Sequence, residues 1–428
     1  KWQVHNPRLG ELRGVTVDQT NSSAAIEAPR ALPMPQWELV IMVASLMSLN
    51  AMAIDIMLPA LSNISEFYSL QRDNDQQLVI FAYIAGFGAP QLIFGPISDR
   101  FGRKGLLSIC LVGYAIAGLA CIMTNSFMTL LIARFIQGVF ASGVRVIAVS
   151  IVRDLLAGRA MARIMSLVMT VFMVVPILAP TIGAGVMLIA PWQWTFGVLS
   201  LAAILNLLWI QIRLPETLAE EDRQPLNPRQ TGRAYWQVLT TRITFGYMCA
   251  SGVIFGALFA FVAASEQIFT DVFQKHDTFA LWFAGVAAAL AASNFLNSRI
   301  VEKFGMRRIS HSVLILFIVL ALVNVITLNT VGEQLWLFYP LFCLSFGCFG
   351  MLGANFTALA MEPQGKIAGT ASAAYGFSST TVASFIGYLV AGQFDGTVAP
   401  FMLGFVALGV SSLTIIFITE RFRLFQSR

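Results

Sequence analysis

The stretch Gly95-Pro-Ile-Ser-Asp-Arg-Phe-Gly-Arg-Lys104 lies between two long apolar runs, at roughly 76–98 and 105–123. Each run is about 20 residues long, the length that an α-helix needs to cross a bilayer. The ten residues between them leave no room for a folded domain. The two runs are therefore predicted to form a tight hairpin of transmembrane helices.

The charges of this loop predict its side of the membrane, because loops rich in Lys and Arg stay cytoplasmic. Its pattern, G-x-x-x-D-R-x-G-R-K, resembles the loop between helices two and three of the major facilitator superfamily. The resemblance implies that Asp99 faces the N-terminus of helix eleven, where the helix dipole favours a carboxylate. It also implies a latch that holds the cytoplasmic side closed. The predicted latch residues are Gly95, Asp99, Arg100, Gly102, Arg103 and Lys104.

The composition predicts a membrane protein throughout. Of the 428 residues, 57% are hydrophobic and only 11% are charged, whereas soluble domains carry about 25% charged residues. We expect an all-α fold with twelve transmembrane helices in two six-helix pseudo-repeats. The predicted spans are 37–61, 76–98, 105–123, 128–151, 164–190, 192–213, 243–265, 279–298, 309–329, 335–360, 368–393 and 398–419.

The distribution of cations supports this topology. Of the 27 Lys and Arg residues, 23 fall on the side assigned to the cytoplasm, so both termini are predicted to be cytoplasmic. The net charge of +5 therefore reflects topology and does not indicate a nucleic-acid partner. The predicted divisions are a tail at 1–35, a six-helix bundle at 36–213, a cytoplasmic linker at 214–242, a second bundle at 243–420 and a tail at 421–428.

Cysteine and histidine usage predicts neither a metal site nor a cofactor. All five cysteines fall within apolar spans, and none has a histidine at metal-ligand spacing. They are interpreted as small apolar side chains. The three histidines are scattered, which argues against a histidine proton relay.

Asp55 is predicted to be the principal functional residue, because it is the only acid well inside a predicted span. A carboxylate at that depth is costly and generally faces a cavity with a function. The alternative is a structural carboxylate held by a neighbouring hydroxyl or Arg. Pro59, one turn later, is expected to kink the helix. The run Asp55-Ile-Met-Leu-Pro-Ala-Leu61 resembles the helix-one signature of drug:proton antiporters.

Predicted helix four carries two cationic residues inside its span. Arg134-Phe-Ile-Gln-Gly138 resembles the R-x-x-Q-G motif of the superfamily, whose Arg is associated with proton coupling. Arg134 and Asp55 both lie about six residues from the predicted outer ends of their helices, so they are at one depth and can pair if the helices are neighbours. Arg145 lies three turns further on. It either meets a substrate or extends to the inner surface, as long cationic side chains do.

Helix five contains Pro176-Ile-Leu-Ala-Pro180-Thr-Ile-Gly183, a partial match to the helix-five motif of antiporters. The prolines Pro176 and Pro180 and the glycine Gly183 of this motif are expected to bend the helix and let a neighbouring helix approach. Alanines replace two motif glycines, so the pattern indicates export less firmly than an intact motif.

The second half repeats the first weakly. Glu302-Lys-Phe-Gly-Met-Arg307 matches Asp99-Arg-Phe-Gly-Arg-Lys104 at an offset of 203 residues. Such duplication is typical of transporters whose halves move about a central site. The segments Gly350–Ala360, Ala368–Ala373 and Gly396–Pro400 resemble the bicyclomycin/chloramphenicol-resistance (Bcr/CflA) branch of drug exporters.

The sequence thus predicts a monomeric proton-coupled exporter of lipophilic drugs in a bacterial inner membrane. Its expected partners are a small-molecule substrate, protons and the lipid bilayer. Asp55 and Arg134 are the predicted proton-coupling pair, and Glu266, at the outer end of helix seven, is expected to be solvated. Proton-coupled uptake of a siderophore or other metabolite is the nearer alternative, and a membrane enzyme or non-transporting receptor is the more distant one. The candidate cavity residues are Met52, Tyr83, Gln91, Gln137, Arg145 and Tyr247.

Overall fold

The structure, a computed structural model, describes residues 34–425 except positions 73, 157, 173, 224, 226 and 365–366. The predicted tail at 1–35 lies almost wholly outside the described residues. Within the described ranges the chain is helical, joined by turns and short loops.

The described residues of the first half and the linker form ten α-helices, most of them predicted from apolar runs of membrane-spanning length. They are α1 (Gln36–Asp55), α2 (Leu61–Phe67), α3 (Leu78–Gly88), α4 (Gln91–Phe101), α5 (Arg103–Ile122), α6 (Phe127–Leu155), α7 (Gly158–Phe172), α8 (Val175–Ile189), α9 (Trp194–Arg213) and α10 (Pro228–Thr240).

The described residues of the second half form seven more, with two π-helical turns at Ile268–Val272 and Ser378–Val382. They are α11 (Arg242–Gln267), α12 (Phe279–Phe304), α13 (Met306–Val331), α14 (Leu335–Met361), α15 (Ala368–Phe377), α16 (Ala383–Ala391) and α17 (Ala399–Thr419).

Ten described helices are long and apolar enough to cross a membrane, and the number is eleven if α3 and α4, which meet at a bend of 44°, count as one span. The multi-span membrane architecture is therefore confirmed. The predicted span at 368–393 is helical but lies outside this set, and it contains the polar run Ser378-Ser-Thr-Thr381. The count of twelve and the sidedness of the termini stay predictions.

Helices pack chiefly within their own half. In the first half α3 and α5 both pack on α6, and in the second half α14, α16 and α17 pack on α11. The α3–α6 contact is close, because a Cβ atom added to Gly138 would lie 2.1 Å from the Tyr83 carbonyl oxygen. Small residues allow this backbone approach in membrane helices. Between the halves, α8 packs on α12 and α4 packs on α15.

The predicted internal repeat has a structural counterpart. Gly102 separates α4 from α5 with φ +93°, and Gly305 separates α12 from α13 with φ +79°. L-residues rarely adopt this left-handed conformation, so each site requires glycine. We call the end of the molecule that carries Gly95–Lys104 the motif end, and the opposite end the far end.

Candidate functional site

Asp55 is the last residue of α1, where the helix is interrupted. The chain turns and continues as a 3₁₀ turn, Leu58–Ala60. Pro59 explains the interruption, because its nitrogen has no hydrogen to donate to the Asp55 carbonyl oxygen. The Asp55 side chain is only 6% exposed, and no described residue forms an ion pair or hydrogen bond with its carboxyl group. A buried carboxylate without a partner is costly, and protonation removes that cost.

Arg134 lies on α6, which is a neighbour of α1 as predicted, but its guanidinium does not pair with Asp55. It donates instead to three neutral oxygens: the Ala53 carbonyl at 2.9 Å, the Val79 carbonyl at 3.3 Å and Gln137 Oε1 at 2.7 Å. The pairing of Asp55 with Arg134 that their common depth allows is therefore not formed in this conformation. Ala53 lies in the last turn of α1, where helix carbonyls lack intrahelical partners.

Two predicted cavity residues support Arg134. The Tyr83 ring lies 4.4 Å from the guanidinium carbon, and its hydroxyl donates to Asn50 Oδ1 at 2.8 Å. Gln137 accepts from Arg134 and is fully buried. Both side chains pack inside the first half, so neither lines a cavity in this conformation. Met52, one turn before Asp55, is half-buried against the core.

Gly183 brings the helix-five motif against the interruption of α1. A Cβ atom added to Gly183 would lie 1.9 Å from the Ile56 carbonyl oxygen, so α8 touches the backbone directly after Asp55. Pro176 is in the first turn of α8, where its missing N–H is not needed. Pro180 lies inside α8 and is buried. The partial motif therefore makes the close approach that its residue types predict.

Arg145 lies inside the protein and does not reach the motif end. Its Nη1 donates to Gln91 Oε1 at 3.4 Å, and its guanidinium carbon lies 5.6 Å from the centroid of the Phe87 ring. Gln91 is the first residue of α4, so it lies ten residues, or roughly 15 Å, from the end of that helix. Gln91 Nε2 in turn donates to Thr380 Oγ1 of the second half at 3.1 Å. Arg145 and Gln91 therefore lie where the two halves meet.

Arg103 is the centre of the predicted latch. Its guanidinium binds Asp99 at 2.6 Å and Asp154, at the end of α6, at 2.8 Å, and it is 2% exposed. The carboxylate of Glu216 accepts hydrogen bonds from the backbone nitrogens of Arg103 and Lys104 at 2.8 and 3.1 Å. A carboxylate at a helix N-terminus is favoured by the free N–H groups there. These bonds therefore join residues of the first half to one another and to Glu216 of the linker.

The contact of this latch with the second half is made through Arg153. Its Nη2 lies 3.8 Å from Asp99 Oδ1, and its Nη1 would be 3.6 Å from a Cβ atom at Gly369, next to the start of α15. The Arg153 guanidinium thus lies between Asp99 and the start of α15, which belongs to predicted helix eleven. Arg100 is exposed and Gly95 has open space around it.

Tyr247 does not line a cavity, contrary to prediction. It is fully buried near the motif end of the second half, where its hydroxyl lies 3.1 Å from His311 Nε2 and donates to Glu420 at 3.0 Å. Arg307 binds Glu420 at 3.0 Å and Glu362 at 2.8 Å. This cluster resembles the one around Arg103, since each joins a buried Arg to acids near helix ends of its own half.

Glu266 at the far end is buried, so the expectation that it is solvated is wrong. It is 4% exposed, and Ser62 of the first half donates to its Oε1 at 2.5 Å. Its Oε2 is buried without a hydrogen-bond partner among the described residues. Sequence reasoning missed this site because the covering residue is 204 positions away.

Further hydrogen bonds cross between the halves beside Glu266. Gln77 Nε2 donates to Gln267 Oε1 at 2.6 Å, and Asn74 Nδ2 donates to the Phe394 carbonyl at 3.0 Å. A cavity of about 560 Å³ opens next to them, lined in part by Glu66, Asp271 and Asp395. The far end of the interface between the halves is therefore bridged by side chains.

The sequence of the chain matches a known family model over most of its length. The model described as Major Facilitator Superfamily matches residues 42–388. The chain belongs to the major facilitator superfamily. Superfamily members are transporters that take small-molecule substrates, so the expectation that the chain is not an enzyme is confirmed.

Individual proteins that are similar to the chain also belong to this superfamily or share its fold. The chain is 31% identical to the uncharacterized MFS-type transporter YdgK of Bacillus subtilis, over 89% of this chain and 95% of that protein. It is 29% identical to a bicyclomycin resistance protein homolog of Haemophilus influenzae, over 86% and 92%. A D-xylose–proton symporter has the same fold, with a TM-score of 0.70 at 14% identity, over 92% and 99%. The predicted resemblance to the bicyclomycin-resistance branch of this superfamily is confirmed.

Proposed function

We propose that this protein is a proton-coupled exporter of small lipophilic drugs in a bacterial inner membrane, working as a monomer by alternating access. The observation that carries the proposal is Asp55, a buried carboxyl group without a charged partner in a helix-one drug:proton antiporter motif. An intramembrane carboxyl group of this kind serves as a proton carrier in pumps and transporters. The relative named for bicyclomycin resistance supports antibiotic-like cargo.

In this proposal a proton from the outside neutralises Asp55, and its release to the inside restores the carboxylate. Arg134 holds the chain on both sides of Asp55, through the Ala53 carbonyl at 2.9 Å and Met57 Sδ at 3.4 Å. Its acceptors are all neutral, so its charge remains available to a carboxylate formed nearby. Arg134 is thus the electrostatic partner of the deprotonated state.

The change at Asp55 has a route to the second half. Gly183 seats α8 on the turn that follows Asp55, and α8 also packs on α12. A shift of that turn on protonation therefore moves a helix that contacts the opposite bundle. Rocking of one half against the other exposes a site between them to each side in turn.

The test uses purified protein in liposomes that contain a pH-sensitive dye. After a proton gradient is imposed, chloramphenicol is added to the wild type, to Asp55→Asn and to the control Asp277→Asn, which changes an exposed acid. We expect drug-triggered proton movement in the wild type and the control and none in Asp55→Asn. Undiminished coupling in Asp55→Asn contradicts the assignment. Absence of any response from folded wild-type protein contradicts drug export and favours metabolite uptake.

A further inference from the structure

Arg145 is a cation inside the membrane region without a counter-charge. No described carboxylate forms an ion pair with it, and its one hydrogen bond, to Gln91, is long at 3.4 Å. Arg134 on the same helix has three neutral oxygens within 3.3 Å. A charged side chain at such depth is costly unless it meets water, a partner or a ligand. Arg145 therefore has unused capacity to bind an anion.

The charge balance of the first half also favours binding of an anion. The charged residues in the interior of its predicted spans are Asp55, Arg134 and Arg145, two cations and one acid. With Asp55 protonated the excess becomes two positive charges. A cationic substrate entering between the halves meets repulsion from Arg145, whereas an anion is attracted.

The surroundings of Arg145 suit an organic anion with an apolar body. The Phe87 ring lies beside the guanidinium and offers an apolar face. Gln91 and Thr380 supply polar groups from both halves, and Thr381 Oγ1 is buried without a hydrogen-bond partner among the described residues. Thr380 and Thr381 belong to a π-helical turn, a local irregularity that is frequent at functional sites.

We propose that Arg145 is the anion-binding group of the substrate site, so that the preferred substrates are amphiphilic organic carboxylates. The planar guanidinium matches a carboxylate with two parallel hydrogen bonds, and Gln91 and Thr380 orient the ligand from either half. This inference rests on the proposed function and adds a preference for negatively charged members among its lipophilic substrates. Proton carriage stays with Asp55, about 16 Å nearer the far end by helix rise.

The test compares two probes that share one aromatic body, 2-naphthoate and the neutral 2-naphthamide. Binding to the full-length protein in detergent is measured by isothermal titration against protein-free micelles. We expect the wild type to bind naphthoate about tenfold more tightly, a ratio that corresponds to about 1.4 kcal/mol. Arg145→Gln should bind the two probes equally, and Arg145→Lys, which keeps the charge, should retain part of the preference.

Arg299→Gln is the matched control, because Arg299 also lies over a phenylalanine ring but is exposed on α12. It should bind like the wild type. Equal binding of the probes by the wild type, no binding of naphthoate, or an unchanged preference in monodisperse Arg145→Gln overturns the inference. Proton release measured on the same preparations separates the two proposals. Intact Asp55-dependent coupling without a naphthoate preference refutes the anion site alone.

Discussion

Replacing Gly183 with alanine tests the contact that links helix five to the interruption of α1. The added Cβ atom would lie 1.9 Å from the Ile56 carbonyl oxygen, whereas carbon and oxygen normally approach to about 3.3 Å. The two helices must therefore separate by roughly 1.4 Å. The obstacle is backbone, so no side-chain rotation relieves it. Overpacking of this kind costs about 1–3 kcal/mol.

Gly185→Ala, on the same helix, is the matched control. A Cβ atom at Gly185 meets nothing within 4 Å, and alanine is favoured over glycine inside a helix by about 0.5–1 kcal/mol. Both variants gain this helix preference, so they should differ in stability by the overpacking cost alone, about 1–3 kcal/mol, with Gly183→Ala the less stable. Thermal unfolding in detergent, followed with a dye that reacts with the five free cysteines as they become exposed, measures the difference.

The same substitution should impair function beyond its effect on folding. Ile56 follows Asp55 directly, so moving α8 away disturbs the turn that follows Asp55, the proposed proton carrier. Drug-triggered proton movement, normalised to folded protein, should fall in Gly183→Ala and persist in Gly185→Ala. If Gly183→Ala and Gly185→Ala unfold at the same temperature, the close approach of α8 to Ile56 does not exist in the protein. The proposed coupling of Asp55 to the second half through α8 is then refuted.

Three further outcomes follow from single contacts. Arg307→Ala leaves Glu420, 6% exposed, without its cation and should cost about 3–5 kcal/mol in thermal unfolding, whereas exposed Arg308→Ala should change stability by less than about 0.5 kcal/mol. Glu266→Ala removes the acceptor of the Ser62 hydrogen bond that joins the halves at the far end, so distances between spin labels across that end should lengthen. Glu266→Gln keeps an acceptor and should leave these distances unchanged. Equal distances in the two variants contradict the contact. Tyr235→Phe removes a 2.9 Å hydrogen bond from the linker helix α10 to α4 and should cost about 1 kcal/mol, measured as faster tryptic cleavage of the linker. Because burial raises the pKa of Tyr235 to about 12, the contribution of this buried hydroxyl to stability should be full below about pH 10, where the unfolded tyrosine ionises, and should be lost as the pH rises from about 10 to 12.

The fold was accessible from the sequence because its signals are local. Apolar runs of about 20 residues predict membrane helices by length alone, and Gly102 and Gly305 mark two turns with the same left-handed backbone. The predicted span at 368–393 falls outside the candidate spans because of its polar centre, Ser378-Ser-Thr-Thr381. That polar centre forms the π-helical turn that contacts Gln91. The exception to the apolar pattern is thus a candidate part of the site.

The details of the site were less accessible, because they depend on rotation about helix axes and on distant contacts. Helical rise placed Arg134 and Asp55 at one depth, but it did not show that the guanidinium turns to the free carbonyl of Ala53. Tyr247 and Glu266 lie near helix ends, where local sequence predicts access to water. Each is buried by residues far along the chain, Glu420 and Ser62 respectively.

The strengths of the contacts bear on how the two halves move. The buried cations Arg103 and Arg307 bind acids of their own halves, and breaking such pairs costs about 3–5 kcal/mol each. Among the described residues, the side-chain bonds between the halves are hydrogen bonds such as Ser62–Glu266 and Gln91–Thr380, worth about 0.5–1.5 kcal/mol each when neutral. Separating the halves at one end is therefore easier than deforming either half. This distribution favours rigid-body rocking about the central interface, and it concentrates any control by protons or substrate on Asp55, Arg145 and the few side chains that cross between the halves.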